Sequence, residues 1–205
     1  MFMVIGLTLG MLTVLLAGGR PGNLAILRLR AVWAILLTCV IQIVILEVIE
    51  ARVAHGLLAV VHVLTYGLAA VFVIANRKLV GMWTAAVGAC LNLIAISANN
   101  GVMPASRAAL ETAGRPIMAD FENSTYVAGA RLQFLGDIFA TPKSIVHVQI
   151  LANVFSIGDI LVVLGATMML HWLCESRLVP ASLLARRPPP LRRTARAEAA
   201  NGDRA

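Results

Sequence analysis

Five long apolar segments constrain this chain more than any other feature of its sequence. They cover about residues 2–17, 31–49, 57–75, 82–97 and 154–173. Several of them reach about 17–20 residues, the length that an α-helix needs to cross a hydrocarbon layer of roughly 30 Å. The chain is 60% hydrophobic and only 13% charged, so it has too few polar side chains to cover a water-facing surface. The sequence therefore predicts an all-α integral membrane bundle of five transmembrane helices.

The positions of the basic residues predict how this bundle is oriented. Lysine and arginine are enriched in the cytoplasmic loops of membrane proteins, and tryptophan is enriched at the membrane interfaces. Basic residues follow the first and third segments and fill the chain beyond Arg177. Trp33, Trp83 and Trp172 lie beside the same basic regions. We therefore expect the N-terminus outside and the C-terminus in the cytoplasm.

The charge distribution divides the chain into two parts. Residues 1–176 form the predicted membrane domain, with an outer loop at residues 98–153, and residues 177–205 form a tail rich in arginine and proline. The tail has few large apolar residues, so we expect it to be disordered. The net charge of +7 comes largely from this tail, which predicts contact with anionic lipid. Because the tail lacks interleaved aromatic residues, no nucleic-acid partner is expected.

The sequence carries no motif that identifies a reaction, a cofactor or a metal. It has no phosphate-binding glycine loop, no catalytic-triad signature and no zinc motif, and its three cysteines lack metal-ligand spacing. Glu47, Glu50 and His55 could together bind a divalent cation, although a solvated helix end explains them more simply. His62 and Tyr66, four residues apart, fit an interhelical hydrogen-bonding pair better than a proton relay.

Asp159 is the residue that most needs an explanation. An aspartate at the centre of a membrane-spanning helix costs about 2.5–3.5 kcal/mol and usually faces a bundle interior or a wet cavity. If the last helix starts early enough, Asn153, Ser156 and Asp159 lie on one face with Gln149. Gly158 lies off this face, where it permits close helix packing.

Two interpretations of this polar face remain open. In the first, Asp159 belongs to a site for a ligand or an ion. In the second, Asn153 and Ser156 cap the outer end of the helix, and Asp159 pairs with a base or with free backbone donors. Arg131 and Lys143, in the predicted outer loop, are the candidate bases.

The fourth apolar segment ends in the run Asn-Asn-Gly-Val-Met-Pro. Asn99, Asn100 and Gly101 accept left-handed backbone geometry, and Pro104 prevents the helix from continuing. The simpler interpretation is a helix stop followed by a tight turn. The alternative is that the two asparagine amides face Asp159 across an outward-open crevice, with the loop that follows folded over it.

Several short motifs resemble those of a known protein family. They are Asn23-Leu24 to Leu29-Arg30 with Trp33, Asn76-Arg77-Lys78 with Gly81-Met82-Trp83, Asn92-Leu93 through Asn99 to Pro104, Phe134 to Ile138, and Ser156 to Leu161. On these motifs the chain resembles the bacterial multi-pass membrane proteins of the domain of unknown function 5317. The resemblance implies a location in the bacterial cytoplasmic membrane, and it implies no activity.

The resemblance also adds Asp137 to the candidate site. The family motifs place a glycine directly before Asp137 and directly before Asp159, which implies that both acids belong to one outer site beside Asn99 and Asn100. We then expect the stretch Tyr126–Ala140 to pack against the fourth and fifth segments.

Three functions fit these features. The sequence favours a non-catalytic membrane component whose polar outer-face site binds a ligand or a partner. A transporter or ion-coupled permease subunit that uses Asp159 is the first alternative. A membrane enzyme acting on lipid-linked substrates, with Asp137 and Asp159 as base or metal ligands, is the second. Besides the lipid bilayer, a second copy of the chain or a partner membrane subunit is the expected partner.

Overall fold

The computed structural model describes residues 2–26, 29–44, 55–115, 124–143 and 153–184. The α-helices in these ranges are α1 (Phe2–Leu16), α2 (Val32–Val44), α3 (His55–Ala75), α4 (Met82–Ala98), α5 (Arg107–Ala113), α6 (Ile157–Leu173) and α7 (Ala181–Leu184). The strands are β1 (Met103–Ala105), β2 (Ser124–Tyr126), β3 (Phe139–Ala140) and β4 (Val154–Phe155). Short 3-10 helices lie at Pro21–Ile26 and Gln133–Leu135. Five helices thus lie in the apolar segments, and the strands lie between α4 and α6.

The prediction of a five-helix membrane bundle is wrong. In the ranges given above, no helix is both long enough and apolar enough to cross a membrane. Helices α1, α2, α4 and α6 have 15, 13, 17 and 17 residues. At 1.5 Å per residue they are about 20–26 Å long, which is less than the roughly 30 Å of a hydrocarbon layer. The predicted orientation and the predicted multi-pass location in the bacterial cytoplasmic membrane are therefore wrong as well.

The all-α part of the prediction is also wrong, because two small sheets lie between α4 and α6. β1 pairs in parallel with β2, with Met103 opposite Ser124, and β3 pairs antiparallel with β4, with Phe139 opposite Phe155. A parallel pair needs a long crossover connection, and α5 lies in that connection here. The strands are two or three residues long, too short to show an alternating apolar pattern in the sequence.

The last apolar segment does not begin as a helix. Residues 154–155 form β4, and α6 starts at Ile157. Asn153 and Ser156 therefore lie before the first helical residue, so the helical face predicted from Gln149 onward does not form at these positions. Gln149 itself lies outside the described residues.

Helices α4 and α6 pack antiparallel through small residues. Gly88 on α4 meets Gly158 near the start of α6, and Ala85 meets Gly165 one to two turns further along. A Cβ atom on Gly165 would lie 2.5 Å from the Ala85 amide nitrogen, and one on Gly158 would collide with the Asn92 side chain. The two backbones therefore approach as closely as they do because glycine occupies both positions.

Helix α1 runs parallel to α6 and packs on its other side. Gly6 faces Val163, and Gly10 faces Thr167, so that a Cβ atom on either glycine would collide with the opposite side chain. The turns that follow the two helices are joined by hydrogen bonds in both directions. The Arg177 amide donates to the Ala17 carbonyl (3.0 Å), and the Arg20 amide donates to the Cys174 carbonyl (2.6 Å). We call these two turns the α1–α6 joint.

A chain of side-chain hydrogen bonds ties α1 to the end of α6 beside this joint. The Thr13 hydroxyl donates its only hydrogen to the Gly10 carbonyl (2.7 Å), so it accepts at its contact with Nε2 of His171 (3.0 Å). In neutral His171 the other nitrogen, Nδ1, then accepts from the hydroxyl of Ser176 (2.7 Å). The hydroxyls of Thr13 and Ser176 and both ring nitrogens of His171 thus have hydrogen-bond partners, which indicates a structural role for these three side chains.

Asn76, which follows α3, joins that helix to the start of α2. Its Nδ2 donates to the Arg30 carbonyl (2.8 Å), and its Oδ1 accepts from the Arg30 amide (3.0 Å). The same Nδ2 also donates to the carbonyl of Phe72, four residues earlier (2.8 Å). Ala31 follows the clamped arginine with φ 52°, and α2 begins at the next residue. One buried amide therefore fixes the α2–α3 hairpin at this end.

Candidate functional site

Three polar side chains meet between α4 and α6, and we call them the polar cluster. Asn92 donates from Nδ2 to Oδ1 of Asp159 (2.8 Å), and its Oδ1 accepts from the hydroxyl of Ser156 (2.8 Å). Ser156 is completely buried and Asn92 is 8% exposed, whereas Asp159 is half-buried. Asp159 is therefore the most solvent-exposed member of the cluster.

The local sequence of α6 holds this carboxylate in place. Ser156 is the N-cap, and its hydroxyl accepts from the Asp159 amide (3.0 Å), while Oδ2 of Asp159 accepts from the Ser156 amide (3.2 Å). This reciprocal pair is a capping box, and a negative charge in the first helical turn is also favoured by the helix dipole. Ser156 thus caps the helix, as the second interpretation of the sequence had it. Asn153 lies three residues before this N-cap, and its carbonyl accepts from the Thr141 amide (2.8 Å).

Asn99, which the sequence also predicts in the site, forms hydrogen bonds to the backbone of the loop at Arg131 and not to an acid. Its Nδ2 donates to the Arg131 carbonyl (2.8 Å) and to the Ala95 carbonyl (2.8 Å), and its Oδ1 accepts from the Arg131 amide (2.9 Å). The side chain is 7% exposed. These three hydrogen bonds all join the Asn99 amide to backbone groups, and none of them is the predicted contact with Asp159.

The residues after Asn99 form the helix stop that the simpler interpretation expected. Asn100 and Gly101 both have left-handed geometry, with φ 56° and 88°, and the Gly101 amide donates to the Ile96 carbonyl (2.9 Å). This bond satisfies a carbonyl that the end of the helix leaves free. Asn100 is exposed and Gly101 is buried. The turn directs the chain into β1, where Pro104 is fully buried.

Asp137 lies against β1 through its backbone. Its amide donates to the Pro104 carbonyl (2.9 Å), and its carbonyl accepts from the Ser106 amide (3.0 Å). A Cβ atom on Gly136 would collide with the Pro104 carbonyl, so glycine is needed before the aspartate for this close approach. Asp137 is 5% exposed. It is therefore a buried acid whose position the β1 backbone determines.

Tyr66 on α3 shows that the two acids influence the same region. It packs against the buried cluster of Ala95, Ile96 and Met103. Burial raises the pKa of Tyr66 to about 12, and the negative charges of Asp159 and Asp137 raise the pKa in the same direction. The phenol is therefore protonated at neutral pH, and the two acids make the electrostatic potential around it negative.

The structure thus brings together some of the predicted residues and separates others. Asp159, Ser156 and Gly158 contact the same residue of α4, and Asp137 is close enough for its charge to act on Tyr66. The amide that bonds Asp159 is Asn92, which the sequence interpretation did not include in the site. Asn92 is seven residues, or about two helical turns, before Asn99, so the two asparagines share a face of α4. That spacing was the signal available in the sequence.

Some predicted features fall outside the described residues. These are Glu47, Glu50 and the tail from residue 185 onward. Among the described residues, no group of three or more histidine, cysteine, aspartate or glutamate side chains is placed to hold a metal ion.

No curated protein and no solved structure matches the chain significantly. One family model does match, over residues 26–171, which is more than half of the chain. The matched range includes the polar cluster, Asn99 and Asp137, and it begins after α1. The match gives no activity, organism or location. The chain belongs to the family of unknown function DUF5317.

Proposed function

We propose that this protein is a non-catalytic binding component whose polar cluster takes up a cationic group of a ligand or a partner. The observation that carries the proposal is the Asp159 carboxylate, which is half-buried and receives its hydrogen bonds from Asn92 and from the Ser156 amide. Both donors are neutral. The carboxylate is therefore fixed in position while its charge is left for another group to balance.

The charges of the described residues support this choice of ligand. Among the described residues, an ion pair joins Arg107 to Glu111 at 2.8 Å, away from the polar cluster. No described lysine or arginine forms an ion pair with Asp159. A cationic group is attracted to a partly buried carboxylate more strongly than to one in water, because the local dielectric constant is lower. Asp137 adds a second negative charge to the same region.

The rigidity of the cluster supports binding rather than movement. Asp159 is held by two carboxylate hydrogen bonds and by its own amide, and Ser156 and Asn92 are buried. A preorganised carboxylate loses little conformational freedom when a ligand binds, which favours affinity. An arginine or lysine side chain of a partner, or an organic amine, has the chemistry that fits.

The test uses Tyr66 as a reporter in the full-length chain. The sequence has two tyrosines, so Tyr126→Phe leaves Tyr66 as the only one, and its ¹³Cζ resonance can be followed by NMR. Methylguanidinium chloride and methylammonium chloride are the probes, with sodium chloride at equal ionic strength as the reference. We expect a saturable shift with the organic cations, and at least a tenfold weaker response in Asp159→Asn.

Glu111→Gln is the matched control, because it removes a carboxylate that is exposed and already paired. It should leave the response to methylguanidinium unchanged. The proposal is wrong if neither organic cation shifts the Tyr66 resonance beyond the effect of sodium chloride. It is also wrong if Asp159→Asn and Glu111→Gln change the response equally.

A further inference from the structure

A second site lies on the other side of α6, away from the polar cluster. Helices α1 and α6 and the 3-10 helix at Pro21–Ile26 line an open groove of about 780 Å³. Its walls are aliphatic or sulfur-containing side chains, with Leu7 and Met11 on α1 and Leu170 on α6 as central members. The single hydroxyl in the lining, that of Thr8, already donates to the Val4 carbonyl (2.8 Å). The groove therefore offers apolar contact and no free polar partner.

Two arginines lie on the turns that follow the helices of the groove. Leu15 and Leu173 line the groove where it reaches the α1–α6 joint. The joint holds Arg20 and Arg177 on adjacent turns, each fixed by a backbone hydrogen bond across the joint, and both side chains are exposed. Glu175 lies in the same joint, so its side chains carry a net charge of +1. An elongated apolar groove thus ends beside an excess of arginine.

We infer that the groove binds a single-chain anionic amphiphile, with the alkyl chain along α1 and α6 and the carboxylate at the α1–α6 joint. Charge complementarity decides the direction, because an anionic head group is stabilised beside arginine and an alkyl chain is stabilised among aliphatic side chains. A volume of this size falls within the range of about 300–1,000 Å³ that small-molecule sites have. The site is independent of the polar cluster and of the function proposed for it.

The length of the groove sets the length of the alkyl chain. Its lining on α1 runs from Val4 to Leu15, which is about 16 Å at 1.5 Å per residue. An extended alkyl chain advances about 1.3 Å per carbon, given bonds of about 1.5 Å, so about twelve carbons span the groove. Dodecanoate is therefore the probe.

The first experiment compares amphiphiles by calorimetric titration of the purified full-length chain, below the concentration at which each forms micelles. Each methylene lost from a buried chain weakens binding about fourfold, so decanoate, which is two methylenes shorter, should bind about fifteenfold more weakly than dodecanoate. Dodecyltrimethylammonium has a similar chain and the opposite charge, and it should bind more weakly than dodecanoate. Equal affinities for decanoate and dodecanoate, or for the two head groups, would overturn the inference.

The second experiment tests the location with two pairs of variants. Ala166→Phe fills the groove and should abolish dodecanoate binding, whereas Ala70→Phe places the same ring on an exposed position of α3 and should not. Arg20→Gln combined with Arg177→Gln should weaken binding about tenfold. Arg77→Gln combined with Lys78→Gln removes two exposed charges elsewhere and is the matched control.

A variant that enlarges the groove covers the case in which Ala166→Phe does not fold. Leu12→Ala should shift the preference toward tetradecanoate, since it lengthens or widens the apolar lining. An unchanged chain-length preference in Leu12→Ala would place the ligand elsewhere. The inference also fails if dodecanoate does not bind and Ala166→Phe converts a dimer to a monomer in sedimentation velocity, because the groove is then an interface between two copies.

Discussion

Two asparagines at opposite ends of α4 make the same set of hydrogen bonds, although one lies near the acids and the other does not. Asn76 follows α3 and Asn99 follows α4. Each donates from Nδ2 to the carbonyl four residues earlier, and each pairs with both backbone groups of one arginine, Arg30 or Arg131. We call the two arrangements the Asn76 clamp and the Asn99 clamp.

The similarity continues beyond the clamped arginines. Ala31 and Leu132 follow them, both with φ 52°, and a helix begins at the next residue in each case. The Asn76 clamp forms although no member of the polar cluster lies near it. The same hydrogen bonds at Asn99 therefore need no ligand to explain them. The feature that distinguishes the Asn99 end is the hydrogen bond from Asn92 to Asp159. The binding site should therefore be sought there.

The largest expected effect comes from the glycines that let α4 and α6 meet. Gly158→Ala and Gly165→Ala should each destabilise the fold by about 4 kcal/mol, because the new methyl group collides with atoms of α4 that have little room to move. Thermal or chemical unfolding measures the loss. Only Gly158→Ala should also perturb the Tyr66 resonance, since its methyl group displaces Asn92.

Gly67→Ala is the control for this pair. A Cβ atom at Gly67 meets nothing within 4 Å, and the residue lies in the middle of α3. The change should stabilise the helix by up to about 1 kcal/mol. A cost at Gly158 or Gly165 no larger than the change at Gly67 would contradict the close approach of α4 and α6.

The two clamps should contribute similar free energies of unfolding. Asn76→Ala and Asn99→Ala each leave the amide and carbonyl of an arginine without a partner, at a cost of about 3 kcal/mol. Because the clamps lie at opposite ends of α4, the double variant should lose the sum of the two single losses. Urea or guanidinium unfolding of the three variants measures this.

Gln133→Ala, at an exposed position next to the Asn99 clamp, should change the stability by less than about 0.5 kcal/mol. A loss at Asn99 much smaller than the loss at Asn76 would show that the two clamps are not equivalent. It would also indicate that Asn99 acts in binding and not only in stabilising the fold.

The acids at the Asn99 end should make stability depend on pH through Tyr66. The pKa of Tyr66 is raised from 10.0 to about 12 in the folded protein. Stability from this group is therefore complete below pH 10 and is lost as the pH rises to about 12, for a total of about 2–3 kcal/mol. Asp159→Asn should lower the pKa of Tyr66 while leaving it above 10, since burial is the larger cause.

The titration of the ¹³Cζ resonance in the Tyr126→Phe background measures this pKa directly. Asn76→Ala, at the end of α4 without acids, is the control and should not move it. A pKa of Tyr66 that is unaffected by both Asp159→Asn and Asp137→Asn would show that neither carboxylate acts on the phenol.

The smallest expected effect concerns the left-handed residues beside the clamps. Ala31→Gly and Leu132→Gly should each stabilise the fold by up to about 1 kcal/mol, because glycine adopts φ 52° without the steric cost of a Cβ atom. Leu132→Gly should gain less, since the leucine is only 40% exposed and loses apolar contact. A loss of stability at both positions, measured by chemical unfolding, would contradict the left-handed geometry.

The apolar pattern predicted where most helices lie, because apolar segments between turn residues are strong local signals. It predicted the wrong surroundings for them, because apolar runs of this length also fit a hydrocarbon layer, and no described helix is long and apolar enough to cross one. The helix stop at Asn100 and Gly101 was predictable from backbone geometry alone. The capping box of Ser156 and Asp159 was likewise available from residues three apart.

The parts that the sequence did not predict depend on contacts between distant residues. Asn99 meets Arg131 across 32 positions, and Asn92 meets Asp159 across 67. Neither separation leaves a periodic trace in a single sequence. The short strands depend in the same way on pairing partners, as Met103 does on Ser124. Asp137 entered the candidate site only through the family resemblance, since its burial follows from the path of β1.

The packing of α1 on α6 has a practical consequence for anyone who trims this chain to its family match. The match begins at residue 26, whereas Gly6 and Gly10 cover Val163 and Thr167 on a helix inside it. A fragment that starts at the family boundary would expose one side of α6 and remove one wall of the groove. The boundary that sequence comparison recognises therefore cuts through the helix packing of this polypeptide.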